Sequence, residues 1–183
     1  MAMRKLRHEE IPRIDPDAAR SLPRHPVRVV LDNVRSVHNV GSIFRTSDAA
    51  GIERIYCTGI TPTPEHPAMH RTALGAQDVV PWQQARDVRA ILKSLHQEGC
   101  RLAAVEITDQ PTAIDELRLD DFPLCLIVGN EVDGVSETAL AACDLALEIP
   151  QYGTKQSINV SVACGIVLFD VVRRYRRLRS LDP

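Results

Sequence analysis

The chain has 183 residues, a formal net charge of −2 and 25% charged residues. That length suits one domain with a sizeable core, and no apolar run approaches the ~18 residues that span a bilayer. The N-terminus, MAMRKLRHEEIPRID, is charged with no apolar stretch behind it, so it does not read as a secretory signal. Cys57, Cys100, Cys125, Cys143 and Cys164 are an odd set without a CxxC pair. They read as reduced, buried thiols of a cytoplasmic protein, with no zinc site expected.

The charge is unevenly placed. Residues 1–28 carry Arg4, Lys5, Arg7, Arg13, Arg20, Arg24 and Arg28, and residues 173–183 carry Arg173, Arg174, Arg176, Arg177 and Arg179. Such patches neutralise phosphates without a basic overall pI. Charge alone fits the solvated ends of a soluble domain equally well.

Residues 1–26 are rich in charge and proline and read as an extended arm with room for one short helix. The single domain then occupies 27–183. Val27–Asn33 is an apolar run ending in turn residues, a buried strand. Asn39–Ile52 carries Val40, Ile43, Phe44, Ser47 and Ala50 at helical spacing, with Gly51 as a stop. Glu53–Ile60 is a second strand, so the chain opens strand–helix–strand, the unit of a parallel sheet. Pro62, Pro64 and Pro67 exclude regular structure in the next stretch. His66 and His70 there read as surface-loop residues rather than metal ligands. Val79–Trp82 reads as a short strand and Gln84–Glu98 as an amphipathic helix. Cys100–Ile107 is a strand, Pro111–Leu117 a helical or turn segment, and Pro123–Asn130 the most strand-like run of all. A short helix over Glu137–Cys143, a last strand over Asp144–Pro150 and a long helix over Ile158–Leu178 complete the chain. The class is α/β, with helices on both faces of a mostly parallel sheet.

Ligands collect at the C-terminal ends of strands in such sheets. Three of these ends are rich in glycine and polar groups: after Leu31, after Val128 and after Ile149. The familiar binders fail. There is no GxGxxG; Gly129 and Gly134 are five apart but no Lys-Ser/Thr pair follows; no Gly-x-Ser-x-Gly elbow occurs. The residue pattern alone leaves the ligand open.

Three motifs carry a resemblance. They are Asn39-Val-Gly41-Ser-Ile-Phe-Arg45-Thr, then Gly129-Asn-Glu131-Val-Asp-Gly134-Val-Ser136, and last Ile149-Pro150 followed by Ser157-Ile-Asn159-Val-Ser161. In this order and spacing the chain resembles the SpoU/TrmH branch of the SPOUT superfamily, trefoil-knotted RNA methyltransferases. The match runs from about Val27 to Arg174; Asn130 and Ile158 depart from the family's commoner choices.

The resemblance implies a C-terminal trefoil knot, a rare exception to unknotted topology. It also implies S-adenosyl-L-methionine as methyl donor, no metal, a homodimer with the active site near its interface, and methyl transfer to a ribose 2′-hydroxyl of tRNA or rRNA. The cofactor would lie against Val128, Gly129, Asn130, Gly134, Ile149, Gln151, Ser157, Ile158 and Asn159, with a further loop at Val105–Thr108. Arg45, Asn39, Glu131, Ser157 and Asn159 would form the catalytic set. Arg45 would polarise the hydroxyl or bind the target phosphate, since a guanidinium does not readily give up its proton. Arg173, Arg174 and Arg177 are candidate RNA contacts from charge placement alone.

Each residue also has a plainer reading. Arg45 could pair with Asp48 at i+3; Asn39 could be a helix cap; Glu131 could cap the helix at Ser136 or pair with an arginine, where the resemblance has it orient Arg45 or Asn39. Two other functions fit the same fold: a non-catalytic RNA-binding or assembly protein, and methyl transfer to a base.

Overall fold

Strand β1 (His25–Asp32) shows why the strand runs send apolar side chains to both faces. Val27, Val29 and Leu31 enter one core, and Val30 enters a second on the opposite face. Strand β6 (Leu124–Val128) divides in the same way, Leu124, Leu126 and Val128 against Cys125 and Ile127. A strand covered on both faces has no solvent side to mark with polar residues. In this computed structural model, which describes residues 3–12 and 14–181, seven strands form one parallel sheet. The others are β2 (Ile52–Thr58), β3 (Trp82–Ala85), β4 (Arg101–Val105), β5 (Pro111–Thr112) and β7 (Leu145–Leu147), and the order is β3-β2-β1-β6-β4-β7-β5.

Helix α1 (Pro16–Arg20) precedes the sheet. One face is covered by α2 (Val37–Ala50), α3 (His70–Ala73) and α6 (Val160–Leu178), through Val40, Ile43, Phe44, Ala73, Cys164, Val167 and Leu168. The other is covered by α4 (Val88–Gln97) and α5 (Glu137–Leu140), through Ile91, Leu92, Leu95 and Ala139. Phe44 and Ile43 are fully buried, each contributing on the order of 1.5–3 kcal/mol by burial. α2 and α6 also pack on each other.

Several expected elements shift. The helix expected from Gln84 begins at Val88, behind Asp87, whose carboxylate accepts from the Arg89 amide at 2.9 Å. Gln84 and Ala85 instead extend β3 and pair with Cys57 and Thr58, so the strand expected over Val79–Trp82 lies further along the chain. Pro111 and Thr112 form an edge strand beside Ala146 and Leu147, and a 3₁₀ turn at Ile114–Glu116 follows. Proline is tolerated on an edge because no neighbour there needs its missing N–H. The long helix starts at Val160, with Asn159 as its cap.

The basic N-terminal residues are largely engaged within the chain. Arg4 pairs with Glu10, Arg24 donates to the Ile52 and Val79 carbonyls, and Arg28 pairs with Glu53 and Glu98. Arg13 lies outside the described residues. Among those described, no helix is long and apolar enough to cross a membrane.

Candidate active site

The strand order places the site. From β1 the chain moves outward through β2 and β3, then returns to the other side of β1 for β4, and β6 later inserts between β1 and β4. The carboxyl ends of strands where a winding reverses are left uncovered by their own connections. A cavity of about 650 Å³ opens there, lined by the segments after β4, β6 and β7 and the start of α6. Its lining includes Gly129, Asn130, Glu131, Gly134, Ile149, Gln151, Ser157, Ile158 and Asn159. Val128 is not in that lining; it is buried at the end of β6.

The loop after β6 is drawn tight by two glycines. A Cβ on Gly129 would lie 2.0 Å from the Gly134 carbonyl carbon, and Gly134 has φ +70°, a conformation glycine adopts without steric cost. Asn130 closes the loop. It exchanges both backbone hydrogen bonds with Gly134, its Oδ1 accepts from the Val132 amide at 2.8 Å, and its Nδ2 donates to the Asn33 carbonyl at 2.9 Å. The asparagine that departs from the family's commoner choice is thus the loop's organiser.

Three residues from the three motifs meet beside the cavity. Glu131 Oε1 accepts from the Ser36 amide at 3.0 Å and from Asn39 Nδ2 at 2.8 Å, and Oε2 accepts from the Arg35 amide at 3.0 Å. Asn159 Nδ2 donates to Asn39 Oδ1 at 3.1 Å, while Asn159 Oδ1 accepts from the Ser161 amide at 2.9 Å. A carboxylate only accepts, so it fixes the Asn39 amide, which in turn fixes that of Asn159. Burial raises the Glu131 pKa, but the hydrogen bonds from Arg35, Ser36 and Asn39 outweigh it and hold the carboxyl below its ordinary value. Glu131 therefore ties the α2 N-terminus to the loop after β6. It neither caps α5, which Ser136 does by accepting from the Ala139 amide, nor pairs with an arginine side chain among the described residues. Asn39 is not the α2 cap either; Ser36 is, accepting from the Asn39 amide.

Arg45 stands apart from this cluster. It is exposed on α2, with no hydrogen bond or ion pair to Asp48 or any other group among the described residues. Six residues along a helix put it ~9 Å from Asn39 and ~120° around the axis, in line with His38 and Ser42. Ser157 is exposed on the cavity rim. Of the C-terminal arginines, Arg173 pairs with Asp170, Arg177 is exposed, and Arg174 Nε donates to the Leu117 carbonyl at 2.8 Å. Arg174 thereby serves the fold.

Two acidic residues escaped the motif reading. Asp32, 1% exposed, accepts from the Ser136 amide at 2.9 Å and ties β1 to the start of α5. Glu106 lines the cavity and accepts from the Val135 amide at 3.0 Å. The signal was present: each is an acid directly following an apolar strand run, VRVVL and RLAAV.

Burial pushes the thiols of Cys57, Cys100, Cys143 and Cys164 up to about 12, and Cys125 well above the ordinary value. None is placed to act as a nucleophile. Among the described residues no three His, Cys, Asp or Glu side chains are grouped as a metal ion requires.

A parallel α/β sheet with a ligand-sized cavity at its winding reversal, walled by glycine turns and a fixed amide network, places this chain among α/β proteins with a ligand site at the carboxyl ends of their strands. The comparisons make this specific. The SpoU rRNA Methylase family matches residues 26–169. The chain is 34% identical over 151 residues to a 23S rRNA (guanosine-2′-O-)-methyltransferase of Vibrio parahaemolyticus, covering 81% of this chain and 60% of that one. It superposes with a TM-score of 0.79 on a TrmH/SpoU tRNA modifying enzyme of A. aeolicus, at 28% identity over 91% of this chain and 84% of the other. An AdoMet-bound rRNA methyltransferase from Sinorhizobium meliloti superposes with a TM-score of 0.76 at 27% identity, over 85% and 59%. The protein belongs to the SpoU rRNA Methylase family. It spans about 60% of the length of the first curated relatives it matches.

Proposed function

We propose that the protein is an RNA methyltransferase that uses S-adenosylmethionine to methylate a ribose 2′-hydroxyl of tRNA or rRNA in the cytoplasm. The observation that carries this reading is the Glu131–Asn39–Asn159 network, which joins the three motifs at the rim of one cavity. The cavity fits the cofactor. Its volume suits a nucleoside-sized molecule, and Leu147, Ile149, Ile158 and Ala163 offer an apolar surface for a purine. The glycine loop brings backbone close where a Cβ would block it.

S-adenosylmethionine supplies a methyl group activated by a sulfonium. The chain must orient the hydroxyl and stabilise negative charge developing on its oxygen. Asn39 and Asn159 keep spare amide N–H donors beside the cavity for that purpose. Arg45, cationic and unpaired, holds a phosphate or the developing alkoxide. Ser157 on the rim contacts donor or target. Arg173 and Arg177 extend the contact along the RNA backbone.

The active unit is a homodimer. Val162, Ile166 and Phe169 recur on one side of α6 at 52%, 40% and 42% exposure, an apolar stripe suited to a second copy. α6 also contacts β1, β4 and β6 together with the Ile114–Glu116 turn, which supports threading of the C-terminal segment through the β5–β6 connection. The test is a methyl-transfer assay on bulk cellular RNA with nucleoside mass spectrometry. It should yield 2′-O-methylnucleosides, with Arg45→Ala losing transfer while binding the cofactor normally. A methylated base as product, cofactor binding without transfer, or full activity in Arg45→Ala would each overturn the corresponding part of this reading.

A further inference from the structure

The cavity wall contributed by β4 carries a carboxylate that none of the three motifs includes. Glu106 directly follows β4, and its position is fixed from two directions. Oε1 accepts from the Ile107 amide at 2.9 Å and Oε2 from the Val135 amide at 3.0 Å. Space for it exists because position 134 is glycine: a Cβ there would come within 2.3 Å of Oε2. The loop after β6 therefore both receives the carboxylate and makes room for it.

The other acids of the wall are differently placed. Glu131 is occupied by Arg35, Ser36 and Asn39, and Asp133 is exposed at the loop tip. Glu106 is half-buried, and no cation pairs with it among the described residues. A carboxylate oxygen accepts more than one hydrogen bond, so both oxygens retain acceptor capacity. A nucleoside offers one feature that matches two adjacent acceptors, the vicinal pair of ribose hydroxyls. An acid in the segment after a parallel strand holds ribose hydroxyls in dinucleotide-binding sheets as well.

We propose that Glu106 is the specificity residue that reads the 2′- and 3′-hydroxyls of the bound adenosine, so that the site distinguishes a ribonucleoside from its deoxy counterpart. This rests on the proposed cofactor. Glu106 acts in ligand selection, and its amide contacts with Ile107 and Val135 pre-position it.

The experiment is calorimetric titration of the full chain and of Glu106→Gln with S-adenosylhomocysteine, its 3′-deoxy analogue and an analogue lacking the α-ammonium. The wild type should prefer the ribonucleoside over the deoxy form by on the order of 10- to 100-fold, the worth of a hydrogen bond to a charged acceptor. Glu106→Gln keeps the side chain's size and an acceptor for Val135, and gives up only the acceptor for the exposed Ile107 amide. It should cut that preference to within about threefold, with little change in melting temperature. If the variant weakens both ligands equally, Glu106 merely supports the loop and the proposal fails. If it abolishes discrimination against the ammonium-free analogue instead, the carboxylate holds the amino-acid portion, which also overturns the proposal. A wild-type chain that binds none of the three removes the cofactor reading and this proposal with it. Normal binding with an unchanged deoxy preference removes this proposal alone.

Discussion

Replacing Glu131 with glutamine tests the junction of the three motifs with almost no change in shape. The carboxylate accepts three N–H groups, from Arg35, Ser36 and Asn39. A glutamine offers one oxygen, and its NH₂ must face at least one of those donors. Three charge-assisted bonds would together be worth several kcal/mol if buried. Residue 131 is exposed, however, so water replaces part of what is lost. We therefore expect a loss of about 1–2 kcal/mol and a Tm lower by roughly 2–8 °C, read from urea and thermal unfolding. Methyl transfer should fall further, by on the order of 100-fold, because Asn39 and the α2 N-terminus lose their fixed position. The pH dependence has a definite sign. The folded Glu131 carboxyl titrates below its ordinary value, so its contribution is present above about pH 4.3 and is lost as pH falls through the lower folded value. The stability gap between wild type and Glu131→Gln should close on that acid limb. Equal stability and activity at pH 7, or a gap that stays constant down to pH 3, would refute the reasoning.

Gly129→Ala puts a Cβ against backbone atoms at 2.0 to 2.1 Å, with no flexible side chain to yield. We expect a loss of about 2–3 kcal/mol in thermal unfolding, and S-adenosylhomocysteine affinity down by more than tenfold in calorimetry. Arg174 and Arg177 should separate cleanly. Arg174→Ala removes the donor to the Leu117 carbonyl and should cost about 1 kcal/mol without altering the salt dependence of RNA binding. Arg177→Ala should leave stability unchanged and lower the slope of log K against log salt by about 0.7 to 0.9; an unchanged slope removes Arg177 from the RNA surface. The native thiols should react with a disulfide reagent at pH 8 far more slowly than in denaturant, because burial pushes four of them up to about 12.

The fold class was legible because a doubly covered sheet leaves its mark residue by residue. Pro123–Asn130 is apolar on both parities and Val27–Asn33 sends Val30 to the face opposite Val27, Val29 and Leu31, as a strand with helices on each side requires. The strand order was not legible. Nothing local in Leu124–Val128 says that it lies between β1 and β4, since the neighbours that decide it come from distant parts of the chain. Nor could Pro111–Thr112 be read as a strand, as two residues carry no period and the pairing comes from β7. Gln84 and Ala85 fit an amphipathic helix pattern as well as they fit β3; the open edge of β2 decided between them. At the site, the motifs found the residues with long reach between segments. Asp32 and Glu106 were missed because an acid at a strand end looks like an ordinary turn residue until the facing amides of Ser136 and Val135 are seen.

The network also limits what its members can do chemically. The Asn39 oxygen receives the Asn159 amide, and the Asn159 oxygen receives the amides at the start of α6 and the Ser161 hydroxyl. What both side chains keep in reserve is an N–H, since each NH₂ group carries two donors and one is spent. Amide oxygens are far too weak as bases to hold a proton, and Glu131 faces three donors of its own. A site built this way is suited to donating to an oxygen that gains charge, as the attacking ribose hydroxyl does in the proposed reaction. In the proposed reaction the proton then leaves by way of solvent or the RNA itself. In the proposed reaction Arg45, whose guanidinium stays charged, would lower the cost of that departure by stabilising the oxygen left behind. The division predicts that Arg45→Lys, which keeps the charge but loses the planar fork, retains more transfer than Arg45→Ala at every pH between 6 and 9. Parallel pH–rate profiles of wild type and Asn39→Ala would confirm that Asn39 is no base; a displaced acid limb in the variant would refute it.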